Sequence, residues 1–141
     1  MRAREAAQLR ADVTDVFNSY AYALDAKDRA ALGELLAPDV VLVRASGTYH
    51  GVEEFLNQYE SAIGRDSPRS RHFITNIDPR IEDEVIRVRA YFLATFDEGA
   101  AIRLVWGHYN DTLVERDGRL MFQEKVNVIE RTVRIEQPAN A

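Results

Sequence analysis

The sequence of 141 residues contains no cysteine, which excludes disulfides, thiolate metal sites and a cysteine nucleophile. Basic charge is also scarce, because 18 Lys and Arg stand against 23 Asp and Glu, for a net charge of −5. That balance gives no support to a nucleic-acid-binding face. No apolar run approaches the roughly 20 residues of a membrane span, and the first residues lack the apolar segment of a signal peptide. We therefore expect a soluble, cytoplasmic protein with no nucleic-acid or membrane partner.

Cofactor-binding motifs are missing as well. The chain has no glycine-rich dinucleotide fingerprint, no phosphate-binding loop and no nucleophile elbow. Its three histidines, His50, His72 and His108, do not have the tight spacing that metal ligands on one element show. We predict neither a cofactor nor a metal ion.

What the sequence does contain is a balanced globular composition, with 46% apolar and 29% charged residues. The length fits one domain, which we place at residues 1–135, followed by a flexible tail at 136–141. Helical spacing of apolar residues predicts three helices, at about 4–26, 29–37 and 52–63. Asp28 is placed to cap the second helix and Pro38 to end it. Alternating and β-branched segments predict strands at 40–45, 84–96, 101–115 and 119–134, with one more opening at 70–76.

Helices followed by long hairpins are typical of an α+β domain. Three N-terminal helices must then cover one face of a strongly curved antiparallel sheet. If the sheet is wrapped around them as a cone, an internal cavity opens between sheet and helices, and such a cavity is the default ligand site. Lys125 and Asn127 share a strand face and are candidates for lining that cavity. His108 alternates with Trp106 on another strand, and lines either the cavity or the outer face of the sheet.

His72 raises the question of function from the residues alone. It lies in SRHFITN, residues 70–76, where a predicted strand opens. An imidazole there is either a hydrogen-bonded core residue or a proton carrier, because its pKa lies near the working pH. Tyr20, on the apolar stripe of the first helix, is open to two readings in the same way: a packed core residue or a hydrogen-bond donor.

Four motifs, in order, carry a family resemblance: YAYALDAKDRAALGELLAPDV, GTYHGVEEF, RHFITN and GHYNDTLVERDGRLMFQEK. Over about residues 8–134 the chain resembles the SnoaL-like branch of the nuclear transport factor 2-like superfamily. Within it, the sequence is most similar to the cofactor-independent lyases, the scytalone dehydratase, bile-acid dehydratase and hexachlorocyclohexane dehydrochlorinase group. The resemblance implies the same cone-shaped fold and internal cavity.

The resemblance also implies roles for particular residues. The catalytic Asp and His of those lyases match Asp25 and His72. Tyr20 matches a catalytic Tyr of the bile-acid dehydratase, where the dehydrochlorinase has a lysine. Lys125 matches a pocket arginine of the dehydrochlorinase. The Asp that ketosteroid isomerases place on the first strand is matched by Arg44, which cannot act as a base. The match therefore favours elimination over isomerisation.

Together these observations predict a dehydratase-type β-elimination, or a related isomerase or cyclase reaction, on a small apolar polyketide, steroid or aromatic substrate. His72 would remove the proton, Asp25 would orient it, and Tyr20, with Tyr49, would donate hydrogen bonds to oxygen. Lys125, Asn127 and His108 would bind substrate. The alternative is a non-catalytic ligand-binding or structural subunit of the same fold. We expect a homodimer or homotrimer through outer-face residues such as Tyr91, Leu93 and Phe122.

Overall fold

A computed structural model describes residues 5–138 of the chain. Residues 1–4 and 139–141, which include the start of the first predicted helix and the end of the predicted tail, lie outside it. Within the described range the elements are α1 (Ala6–Asp25), α2 (Arg29–Glu34), β1 (Leu36–Arg44), β2 (Gly47–His50), α3 (Gly51–Gln58), α4 (Glu60–Ile63), β3 (Arg69–Glu82), β4 (Val85–Asp97), β5 (Ala101–Arg116) and β6 (Arg119–Glu136). None of these helices is both long and apolar enough to cross a membrane.

The six strands form one open, curved sheet in the order β2-β1-β6-β5-β4-β3. All neighbouring strands are antiparallel except β1 and β6, which are parallel; β6 is the last strand of the four-strand meander β3–β6 and lies beside the first strand. The long helix α1 packs against β3 and β6. The predicted α+β class with N-terminal helices is confirmed.

Apolar residues at helical spacing bury one face of α1 against the sheet. The buried residues of this face are Leu9, Val13, Val16, Phe17, Tyr20, Ala23 and Leu24. They meet inward side chains of the strands, such as Leu42, Phe92 and Phe122. Burying each large apolar side chain contributes about 1.5–3 kcal/mol before entropy is counted. This packing holds the C-terminal end of α1 against β3.

The second helix is shorter than predicted. Asp28 caps it as expected, accepting a hydrogen bond from the Ala31 N–H at 3.0 Å. The helix ends at Glu34, however, and Pro38 lies inside strand β1 rather than past a helix end. Leu36 already pairs with Phe122 of β6, and the β1–β6 register shifts before Val41. Proline has no N–H to donate to a neighbouring strand, so it is tolerated at an irregularity, where the regular pairing is already interrupted.

Three further features differ from the prediction. The segment after the turn at Ser46 forms the short edge strand β2. The predicted helix 52–63 is divided into α3 and α4 at Tyr59, which has φ −94° and ψ 0°. At the other end of the chain, β6 continues through Glu136, which pairs with Ala101.

A close backbone contact between β5 and β6 requires Gly107. The register of the pair shifts at this residue. A Cβ atom on Gly107 would lie 1.9 Å from the carbonyl oxygen of Val128, so no other residue fits without moving a strand. The resulting bulge sets the path of β6 where it passes the interior of the sheet.

The outer face of the sheet exposes several large apolar side chains. Leu93 is the cross-strand neighbour of Phe73 on one side and of Trp106 on the other, so the three form a row across three strands. Tyr91 lies beside this row. Their exposed fractions range from 38% for Leu93 to 60% for Tyr91. Phe122, which we expected on this face, is instead fully buried in the core, where its ring packs on Phe17.

Candidate active site

A cavity of about 610 Å³ lies between the inner face of the sheet and the helices. Pockets for small organic ligands typically measure ~300–1,000 Å³. Most of its wall is apolar. The polar exceptions are His72, Asn127, two arginines and three tyrosines, with two serines. The cavity therefore combines an apolar container with a few placed polar groups, which is typical of a small-molecule site.

Asp25, the last residue of α1, and His72, near the start of β3, meet at the wall of this cavity. His72 Nδ1 lies 2.7 Å from Asp25 Oδ1. The backbone N–H of His72 donates to Asp25 Oδ2 at 3.0 Å, and the Ser70 hydroxyl donates to Oδ1 at 2.9 Å. The contact between Asp25 and His72 that the sequence predicted is therefore present, while the roles of the two residues stay predictions.

The hydrogen bonds determine the charge of the carboxyl group. Partial burial alone would raise the pKa of Asp25, but hydrogen bonds from the side chain and backbone of His72 outweigh it, and the pKa is lowered overall. Asp25 is thus ionised at neutral pH and accepts a hydrogen bond from Nδ1–H of the imidazole. The other ring nitrogen, Nε2, is an acceptor in the tautomer that carries its proton on Nδ1. It has no hydrogen-bond partner within residues 5–138, and the ring lines the cavity.

Three buried tyrosines form a second polar group in the cavity wall. The hydroxyls of Tyr20 and Tyr59 lie 2.7 Å apart, and Asn127 Nδ2 donates to the Tyr59 hydroxyl at 2.8 Å. Tyr109 packs edge-on against Tyr20. Burial is the largest cause raising the pKa of all three phenols above the ordinary value, so they remain protonated hydrogen-bond donors.

Tyr59 and Tyr109 were not among the residues predicted from sequence. Tyr59 falls at helical spacing within the predicted helix 52–63; in the structure it stands at the break between α3 and α4 and lines the cavity. Tyr109 could have been found, since it alternates with Val105 along β5 and both line the cavity.

Two arginines also line the cavity. Arg44 donates from Nη1 to the Gln58 carbonyl at 2.8 Å, and its guanidinium lies 4.7 Å from the centre of the Tyr59 ring. The Arg103 guanidinium lies 4.2 Å from the centre of the Phe96 ring, on the side of the cavity where Phe96 contacts His72. Sequence reasoning considered Arg44 only as a residue unable to act as a base, and did not consider Arg103.

Lys125, predicted to bind substrate, does not line the cavity. Its side chain is fully buried, with Nζ 2.6 Å from Asp111 Oδ2 and 3.5 Å from the centre of the Tyr109 ring. It shares the inner face with Asn127, as the alternation predicted, and Asn127 does line the cavity. Lys125 lies deeper, however, where the rings of Tyr20 and Tyr109 cover it.

Two other predicted residues are also absent from the cavity lining. The Tyr49 hydroxyl lies on the short strand β2, 2.9 Å from the Ser46 hydroxyl. His108 belongs to the outer face, where its Nδ1 is 2.8 Å from Glu130 Oε1. It shares this face with Trp106, so of its two predicted positions the outer one is correct. Between residues 5 and 138, no group of three His, Asp or Glu side chains could hold a metal ion.

Comparison with known proteins identifies the family. A search of curated proteins gave no match. A protein of Novosphingobium aromaticivorans DSM 12444, provisionally named a scytalone dehydratase, is 22% identical with a TM-score of 0.79, over 96% of this chain and 95% of that one. The hexachlorocyclohexane dehydrochlorinase of Novosphingobium barchaimii LL02 is 19% identical with a TM-score of 0.78, over 92% and 91%. These likenesses show the fold. Residues 5–126 match the family model of the SnoaL-like domain, and the chain therefore belongs to this family of the nuclear transport factor 2-like superfamily.

Proposed function

We propose that this protein is a cofactor-independent lyase that catalyses a dehydratase-type β-elimination on a small apolar substrate. The observation that carries the proposal is the hydrogen-bonded pair of Asp25 and His72, whose imidazole borders a cavity of about 610 Å³. The solved structures of a provisionally named scytalone dehydratase and of a dehydrochlorinase share the fold, and their names describe eliminations. A related isomerase or cyclase reaction would begin with the same proton transfer.

In this mechanism His72 Nε2 removes a proton from a substrate carbon. The electrons of the broken C–H bond form the new double bond as the C–O bond of the leaving hydroxyl breaks. The imidazolium then returns the proton to the departing oxygen, which leaves as water. Asp25 stabilises the imidazolium through the 2.7 Å contact at Nδ1. Positioned acid–base groups of this kind contribute about 10²- to 10⁴-fold in rate.

Tyr20 is proposed as the hydrogen-bond donor to a carbonyl or to the departing oxygen. The Tyr20 hydroxyl lies 2.7 Å from the Tyr59 hydroxyl, and either of the two can be the donor. With a substrate oxygen bound in the cavity, Tyr59 would donate to Tyr20, and the Tyr20 proton would be available to the substrate. Burial raises the pKa of Tyr20 well above the ordinary value, so the hydroxyl acts as a donor and not as a base.

The size and lining of the cavity support a substrate of polyketide, steroid or aromatic type. Aromatic rings and aliphatic side chains form most of the wall, including Phe92, Phe96 and Val105. Flat apolar substrates gain most from such a wall because burial of apolar surface is the main attraction.

The test uses a panel of enolisable β-hydroxy ketones on aromatic and polyketide-like scaffolds, with enone formation followed by absorbance. His72→Ala should lower turnover at least about 100-fold, with the far-UV circular dichroism unchanged. His108→Ala is the matched control, because it removes a histidine that is also paired with a carboxylate but lies on the outer face. Turnover by His72→Ala at the rate of the unmodified protein would remove the mechanism and favour a non-catalytic binding protein.

The outer face of the sheet supports the further proposal that the chain forms a homodimer or homotrimer. The exposed row of Phe73, Leu93 and Trp106 is apolar, and a second copy would cover it. Sedimentation of Trp106→Glu against the unmodified chain tests this, since a charge in the row should shift the assembly to monomers. An unmodified chain that sediments as a monomer would contradict it.

A further inference from the structure

The charge lining the cavity is opposite in sign to the charge of the chain. The whole sequence carries a net charge of −5. Yet the charged residues of the described part that line the cavity are Arg44 and Arg103, and no Asp or Glu is among them. Asp25 lies behind the imidazole that it orients. An apolar cavity with a cationic lining is suited to an organic anion.

The two arginines differ in how their charge is balanced. Arg103 Nε lies 3.5 Å from Glu98 Oε2, so a carboxylate offsets its charge. Arg44 has no carboxylate within salt-bridge distance among residues 5–138, and its hydrogen-bond acceptor is the neutral carbonyl of Gln58. A half-buried guanidinium without an anionic partner is costly, and a bound anion would supply the missing partner.

The positive charge of Arg44 affects the pKa of Tyr59, which lines the cavity. Burial raises the pKa of the Tyr59 phenol, and the positive charge of Arg44 is the largest influence that opposes this rise. The guanidinium lies over the Tyr59 ring, with the ring centre 4.7 Å away. That stacking fixes the plane of the side chain and leaves its remaining N–H groups available to a ligand.

We propose that the substrate of this cavity carries an anionic oxygen group, a carboxylate or a phenolate, which binds Arg44 while the apolar body of the molecule extends towards His72. This inference rests on the proposed function in taking the cavity to be the substrate site. It adds a substrate class: apolar organic acids in place of neutral molecules. Arg44 is then a binding residue that selects the substrate and orients it, without taking part in proton transfer.

The experiment compares two fluorescent probes of nearly the same skeleton. The anionic probe is 8-anilinonaphthalene-1-sulfonate and the neutral one is N-phenyl-1-naphthylamine. Hydrogen bonds to charged groups predict that the anionic probe binds about 10- to 100-fold more tightly. Arg44→Gln should abolish this preference, because glutamine keeps an N–H donor for the Gln58 carbonyl but removes the charge. Arg44→Lys should retain most of it, and neutral-probe binding should be unchanged in both variants.

Three control variants show which residue and which face of the sheet produce the preference for the anionic probe. Arg103→Gln should change the preference less than about 3-fold, because Glu98 already offsets that charge. Trp106→Ser should change nothing, which excludes binding to the outer face. His72→Ala should keep the preference even though the proposed function predicts that it loses turnover, so failure of the chemistry and failure of anion binding are separate results. Equal affinity for the two probes, binding of neither, or a preference that survives Arg44→Gln would overturn the proposal.

Discussion

Two carboxylate pairs on the inner side of the sheet have almost the same geometry and opposite surroundings. Asp25 and His72 are 2.7 Å apart at the cavity wall, and Asp111 and Lys125 are 2.6 Å apart in the core. The Asp111–Lys125 side chains have no exposed surface at all, whereas His72 lines the cavity. Contact distance therefore does not distinguish the two pairs, whereas access does: the His72 ring borders the cavity and the Lys125 side chain is fully buried.

The surroundings also act on the charges in different ways. Burial is the largest influence on Asp111 and Lys125, and it shifts each pKa towards the neutral form, raised for Asp111 and lowered for Lys125. Their mutual attraction opposes this shift. At Asp25 the hydrogen bonds outweigh burial. Lys125 also contacts the faces of Tyr20 and Tyr109. The fully buried Asp111–Lys125 pair, called the sealed pair below, therefore supports the rings that form the cavity wall.

The largest effect on stability should come from removing one partner of the sealed pair. Lys125→Met leaves the Asp111 carboxylate buried without its cation, and we expect a loss of about 3–5 kcal/mol in the free energy of unfolding. Urea unfolding followed by circular dichroism measures it.

A double variant sharpens this comparison. Adding Asp111→Asn to Lys125→Met removes the uncompensated charge but keeps an oxygen for the Val126 N–H, which Asp111 Oδ1 accepts at 3.0 Å. The double variant should recover more than half of the lost stability. If Lys125→Met were as stable as the unmodified chain and lost turnover instead, Lys125 would belong to the site after all.

The corresponding change at the cavity wall should affect turnover more than folding. Asp25→Asn keeps the shape of the side chain but no longer holds the imidazole with a charge, so we expect turnover to fall about 100-fold. The urea midpoint should move far less than in Lys125→Met, because the pair is partly open. If Asp25→Asn instead unfolded the protein and caused no loss of turnover beyond that, the Asp25–His72 pair would be structural, like the Asp111–Lys125 pair.

The smallest expected effect concerns pH. Because the pKa of Asp25 is lower in the folded protein than the ordinary value of 3.8, ionised Asp25 stabilises the fold above that value. This contribution is lost as the pH falls through the lowered pKa. The difference in unfolding free energy between the unmodified chain and Asp25→Asn should therefore be constant from about pH 7 to pH 5 and shrink towards pH 3. A difference that grew on acidification would show that the hydrogen bonds do not favour the charged carboxyl.

Local features could be predicted from the sequence, but how deeply each side chain is buried could not. The apolar stripe of α1 and the Asp28 cap follow from spacing and residue type, which act over a few residues. The contact of Asp25 with His72 came from the family resemblance, because nothing local links residues 47 positions apart. Alternation placed Lys125 on the inner face correctly, but its depth depends on rings from other elements.

The lone tryptophan has a practical consequence. Trp106 is the single indole of the chain and stands 40% exposed on the side of the sheet that faces away from the cavity. Its ultraviolet emission should stay constant when the interior fills with a molecule that does not absorb in that range. Dilution that separates neighbouring copies should shift the same signal towards longer wavelengths, because the indole then meets water. One intrinsic reporter thus distinguishes assembly from ligand uptake without any label.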